Sequence, residues 1–112
     1  MIYRKKGSKQ KSLEKHTRNR LRERYGLNYT QRLFEWLINR MSEGETTLVC
    51  KQSNRVSIHD CSYYVQQGDI CNSELARVGW TTIRFVYDKE RKTLITVLTL
   101  EMNPNEYYGD LS

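Results

Sequence analysis

The apolar residues change their period at Gly44, and that change limits the fold more than any other feature of this 112-residue chain. Upstream, Leu33, Phe34, Leu37, Ile38 and Met41 recur at helical spacing, so NYTQRLFEWLINRM predicts a helix. Asn28 with Gln31 three residues on has the form of a capping box, and Glu43-Gly44 ends the run. An earlier helix is expected from a Ser12 cap to about Tyr25, closed by Gly26, which leaves about three residues to turn a helix hairpin. Downstream, TTLVCKQ is short and β-branched, Ser53-Asn54 offers a turn, and RVSIHDC and then SYYVQQ follow as extended segments. WTTIRFVYD and KTLITVLTL are joined by the polar turn Asp88-Lys89-Glu90-Arg91. In the first, Ile83, Phe85 and Tyr87 alternate with Arg84 and Val86, whereas Leu94 to Leu100 is nearly all apolar. This pair predicts a hairpin whose second strand is central in the sheet. The fold class is α+β: an N-terminal helix hairpin packed on one face of a four-stranded antiparallel sheet.

The domain organisation expected is a flexible basic arm over residues 1–11, one domain over 12–103 and a C-terminal tail over 104–112. The loop QQGDICNSELARVG has no readable period. With 38% hydrophobic and 29% charged residues, wholesale disorder is excluded, and no apolar run approaches the ~20 residues that span a bilayer. The N-terminus MIYRKKGSKQ is charged but lacks a following apolar segment, so it is no secretory signal and a cytoplasmic location is expected. Cys50, Cys61 and Cys71 are odd in number and widely spaced, a poor disulfide framework that suits reduced, mostly buried thiols. Of the zinc-capable residues only His59 and Cys61 lie close, so neither a metal nor a cofactor is expected.

The net charge of +6 is shared unevenly. Residues 1–24 hold ten Lys or Arg and two Glu, giving +8; residues 25–112 hold nine basic and eleven acidic groups, giving −2. A field concentrated in this way favours polyanions, and Arg4, Lys5, Lys6, Lys9, Lys11, Lys15, Arg18 and Arg22 are the nucleic-acid-binding candidates. A solubilising tail is the plainer explanation of the same charge. Within HTRNRLRER, a turn of 100° per residue separates three faces. Leu13, Thr17, Leu21 and Tyr25 should meet the sheet, and Arg18, Asn19 and Arg22 should face solvent. His16, Arg20 and Arg24 form a boundary stripe between them, with Glu23 on its outer flank. A boundary histidine can titrate near neutrality, and the arginines beside it can hold a phosphodiester and stabilise charge that develops on cleavage. The same stripe is also what any surface helix presents where basic stems lie along a core.

The spacing His16-x3-Arg20-x2-Glu23-Arg24, followed by Gly26-Leu27, resembles the opening of a family of small prokaryotic and phage domains whose first helix reads H-A-x-x-R-x-x-E-R-x-G-I. That family also ends in a hairpin with a V-I-T-V strand, and IRFVYDKERKTLITVLT stands in the matching place here. The family is similar to the RelE-like and BrnT-like toxin fold. The resemblance covers the two ends of the chain and hardly touches residues 44–80. It implies helices on a twisted antiparallel sheet, and metal-independent cleavage of RNA by basic side chains. On that basis His16 is the acid or base, Arg20, Arg24 and Arg84 hold the scissile phosphate, and Glu23 orients an arginine. Tyr63, Tyr64 and Thr96 are accessory candidates, and Arg77 lends support on the sheet.

Three functions follow. The protein is a phage-encoded endoribonuclease, a module that binds nucleic acid (RNA before DNA) without cutting it, or a protein that engages an antitoxin-like or host protein partner through Trp36 and the helix hairpin. Tyr63 and Tyr64 are adjacent in a strand, so one should be core and the other exposed. Adjacency also sets His59 and Asp60 on opposite faces, which argues against an acid–base pair. Tyr107 and Tyr108 are expected to tack down the tail.

Overall fold

A computed structural model describes residues 3–104, with side chains from residue 11 onward. The elements run α1 (Tyr3–Tyr25), α2 (Gln31–Ser42), β1 (Thr47–Lys51), β2 (Val56–Val65), a single 3-10 turn (Gln67–Asp69), β3 (Gly79–Asp88) and β4 (Thr93–Leu98). The strands form one antiparallel sheet in the order β1-β2-β3-β4. Helix α1 packs on β4 and α2 on β2. The α+β arrangement expected from the change of period is therefore the one observed. No helix among the described residues is long and apolar enough to cross a membrane.

Several local expectations are corrected. Helix α1 begins at Tyr3, so residues assigned to an aperiodic arm are helical and Ser12 lies inside the helix rather than at its cap. Lysine is a good helix former, and this segment needs no apolar face to be helical. Helix α2 is capped by Thr30, whose hydroxyl accepts from Leu33 N at 3.1 Å. Asn28 lies two residues before that cap because the helix begins only at Gln31, and its N–H donates to Asp69 O at 2.8 Å. RVSIHDC and SYYVQQ form one continuous strand, β2. Strand β4 stands at the edge of the sheet, not its centre.

All six residues of β4 are buried nonetheless. One core, between the helices and the sheet, contains Leu21, Leu33, Leu37, Tyr63, Phe85, Leu94 and Val97. A second, on the other face, contains Ile58, Val86, Ile95 and Leu98, with Leu13 and Met102 packed against it. Because α1 gives Leu21 to one core and Leu13 to the other, it lies along β4 and shields it where a neighbouring strand would otherwise do so. Its side chains also bond to the strand backbone: Thr17 Oγ1 donates to Leu94 O at 3.3 Å and Arg24 to Val97 O at 2.7 Å. An uncovered edge would be a template for aggregation.

The β3–β4 ladder stops at the pair Arg84–Leu98, whereas β2 pairs with β3 as far as Gly79. At the last rung Tyr25 replaces a strand neighbour. Its hydroxyl donates to Leu98 O at 2.5 Å and accepts from Arg84 N at 3.0 Å. Beyond this point, residues 79–83 of β3 have a neighbouring strand on one side only.

Candidate nucleic-acid interface

Helix α1 presents the three faces that its sequence predicts. Thr17 and Leu21 are buried, Leu13, His16, Arg20, Arg24 and Tyr25 are half-buried, and Lys11, Lys15, Arg18, Asn19, Arg22 and Glu23 are exposed. Arg20 pairs with Glu23 at 3.0 Å, the orienting contact expected of that glutamate. Arg18, Arg22, Lys11 and Lys15 enter no hydrogen bond or ion pair among the described residues. Arg4, Lys5, Lys6 and Lys9 belong to α1, but their side chains lie outside the described ones, as do Tyr107 and Tyr108 of the tail.

The sheet candidates fare differently. Arg84 is tied to Asp60 across β2 and β3 by two parallel bonds, Nε to Oδ1 at 2.7 Å and a terminal nitrogen to Oδ2 at 2.9 Å. Register explains this, since Asp60 and Arg84 are directly paired and their side chains share a face. The hydrogen bond and charge of Asp60 raise the pKa of Arg84 further. Arg84 is thus committed within the protein. Thr96 is fully buried, and its hydroxyl finds no partner among the described residues.

Tyr63 and Tyr64 divide as strand alternation requires: Tyr63 is core and Tyr64 is exposed. The Tyr63 hydroxyl donates to Asp69 at 3.1 Å and accepts from Arg32, which also pairs with Asp69 at 2.9 Å. Burial, with the Asp69 carboxylate beside it, pushes the Tyr63 pKa up to about 12. This cluster fixes the 3-10 turn, and its tyrosine keeps its proton near neutrality. His59 stacks on Phe85 while Asp60 turns to Arg84, so the two face apart as expected. Trp36 donates to Ser62 O at 2.7 Å and packs edge-on against Tyr63, which makes it an anchor of α2 on the sheet. Cys61 is buried and Cys50 half-buried, but Cys71 is exposed, contrary to its expected burial.

The stretch without a readable period builds the wall of a cleft. Gly26 closes α1 with φ +68°, and its carbonyl accepts from Cys71 N at 2.9 Å and Asn72 N at 3.1 Å. Leu27 and Ile70 form an isolated bridge beside it. These bonds draw residues 70–78 across the C-terminal end of α1. The resulting cleft has a volume of about 510 Å³ and is lined by Arg24, Tyr25, Leu27, Val65, residues 74–78, Trp80 and Thr81. Arg77 is exposed and enters no hydrogen bond or ion pair among the described residues. Burial pushes the Tyr25 pKa up to about 12, although the N–H of Arg84 opposes it, so this hydroxyl is a donor and not a base at neutral pH.

At the rim Trp80 is 68% exposed and meets Tyr64 edge-on at 5.4 Å; Leu75 and Val78 are more than half exposed. Trp80 is the residue that sequence reasoning missed. Its signal was parity: in WTTIRFVYD it alternates in step with Arg84, on the outer set of the strand. No family model matches the chain, and neither a curated protein nor a solved structure is significantly similar to it.

Proposed function

We propose that the protein is an RNA-binding domain whose polyanion-binding surface is the outer face of α1. The observation that carries this reading is the placement of charge. Arg18 and Arg22, with Lys11 and Lys15, project from exposed positions of one helix and have no carboxylate partner among the described residues. Uncommitted cations on a rigid rod suit a phosphate backbone, whose condensed counterions they displace. The preference for RNA over DNA comes from the resemblance of the His16–Arg24 spacing to RelE-like domains.

Binding is better supported than cleavage. A metal-independent ribonuclease needs a base and guanidinium groups free to meet the scissile phosphate. Arg84 is spoken for by Asp60 and Arg20 by Glu23, so two of the three guanidinium groups expected at a scissile phosphate are committed within the protein.

The test is fluorescence anisotropy of labelled oligoadenylate in EDTA, with wild type and the Arg18→Glu/Arg22→Glu variant. Both positions are exposed, so the variant should fold. The expected result is measurable binding by wild type and a loss of about tenfold or more in the variant. Equal binding by both, or none by wild type, overturns the reading. The same samples run on a denaturing gel test the enzymatic alternative: strand scission by wild type that His16→Ala abolishes would replace binding with catalysis.

A further inference from the structure

Three features meet at the cleft beside the C-terminal end of α1. The first is an aromatic rim, since Trp80 is 68% exposed and braced by Tyr64 at 5.4 Å. A tryptophan this exposed at the start of a strand contributes little to the core and leaves most of its indole to solvent.

The second is a free strand edge. The N–H of Arg84 points to the β4 side of β3, where Tyr25 takes it, and the ladder goes no further. In an extended strand alternate residues turn the same way. The backbone N–H and C=O of Trp80, which lines the cleft, therefore also point to that side, where no strand lies. They offer a donor and an acceptor a few ångströms apart, the pattern that the edge of a nucleobase complements.

The third is charge. Arg77 on the wall is exposed and uncommitted, Arg24 stands opposite, and Glu74 is the only acidic residue among the described lining. Arg22 continues the positive surface outward along α1.

We infer that the cleft receives one unpaired nucleotide of single-stranded RNA, its base stacked on Trp80 and its phosphate held by Arg77. This rests on the RNA-binding reading and adds a substrate class to it. A base inside a duplex is already stacked and paired and cannot enter, whereas a single strand can turn its bases out. The outer face of α1 grips either form by its phosphates; the cleft accepts only one of them.

The experiment compares oligoadenylate with the same strand annealed to oligouridylate, for wild type, Trp80→Ala, Trp80→Phe and Arg77→Ala. Trp80 emission is followed in a Trp36→Phe background. Wild type should bind the single strand about tenfold more tightly than the duplex and show quenching of Trp80. Trp80→Ala should remove that preference by weakening single-strand binding alone, and Trp80→Phe should restore most of it. Arg77→Ala should weaken single-strand binding more than duplex binding.

Equal affinity for both forms, unchanged by Trp80→Ala, overturns the inference and leaves the RNA reading intact. Binding of neither form removes both. Emission from Trp80 that shifts with protein concentration alone assigns the aromatic rim to a contact between two copies of the chain, and also overturns the inference.

Discussion

Gly26 meets two demands at once, and they can be told apart from Gly44. Both have positive φ, +68° and +73°. A Cβ at Gly26 would lie 2.7 Å from Asn72 O and 2.8 Å from Leu75 Cβ, whereas one at Gly44 meets nothing within 4 Å. Gly44→Ala should therefore cost only the backbone term, about 1 kcal/mol. Gly26→Ala should cost about 2–3 kcal/mol by adding a clash with the cleft wall. Urea denaturation of the two variants checks the difference, and equal losses would mean that the 70–78 segment yields freely. Asp88 is a second residue with a large local role. It is 1% exposed and accepts from Arg55, Arg91 and the N–H groups of Glu90 and Arg91, closing the β3–β4 turn. Burial alone would raise its pKa, but these donors win and hold it below the usual carboxylate value. Because the folded value is depressed, the stabilisation is complete above the unfolded value and is lost as pH falls from about 4 toward the folded value. Asp88→Asn should cost about 2 kcal/mol at pH 7 and flatten the acid limb of the stability–pH curve; an unchanged acid limb would refute this assignment.

At the scale of elements, the helices and hairpin were legible wherever apolar period reports burial. The three faces of α1 followed from 100° per residue, and the split of Tyr63 from Tyr64 followed from strand alternation. What burial does not report is what does the burying. LITVL reads as a central strand because it is apolar throughout, yet β4 is an edge that α1 covers on its outer side. The N-terminal extension of α1 was missed for the complementary reason, that a lysine-rich segment carries no period. The cap is Thr30 and not Asn28 because the helix begins only at Gln31, while the Asn28 N–H is drawn to a distant carbonyl, Asp69 O. The Arg84–Asp60 pair likewise needed the β2–β3 register, and the cleft wall needed Gly26 to meet Asn72, contacts that no local pattern announces. The junction of α1 with the sheet is itself testable through Tyr25, whose hydroxyl stands in for a strand at the last rung. Tyr25→Phe leaves the Arg84 N–H and Leu98 C=O without that partner, and should cost about 1–3 kcal/mol by thermal or chemical denaturation. A neutral substitution would mean that water serves as well.

For the whole molecule, the organising fact is an asymmetry of charge laid on an asymmetry of shape. The +8 of residues 1–24 is carried on one helix along the edge of a domain whose remaining residues sum to −2. The face of that helix toward β4 is committed to the fold, through Thr17, Arg24 and Tyr25. Its outer face carries the cations with no partner among the described residues. One helix thus closes a sheet edge with its inner side, and in the function proposed above its outer side meets the polyanion. The measurement that tests this most directly is the salt dependence of oligoadenylate binding, with log K plotted against log salt concentration. For roughly four phosphate contacts a slope of about −3 is expected, flatter by about 1.4 in Arg18→Glu/Arg22→Glu. A slope near zero, or one that the variant leaves unchanged, would contradict it.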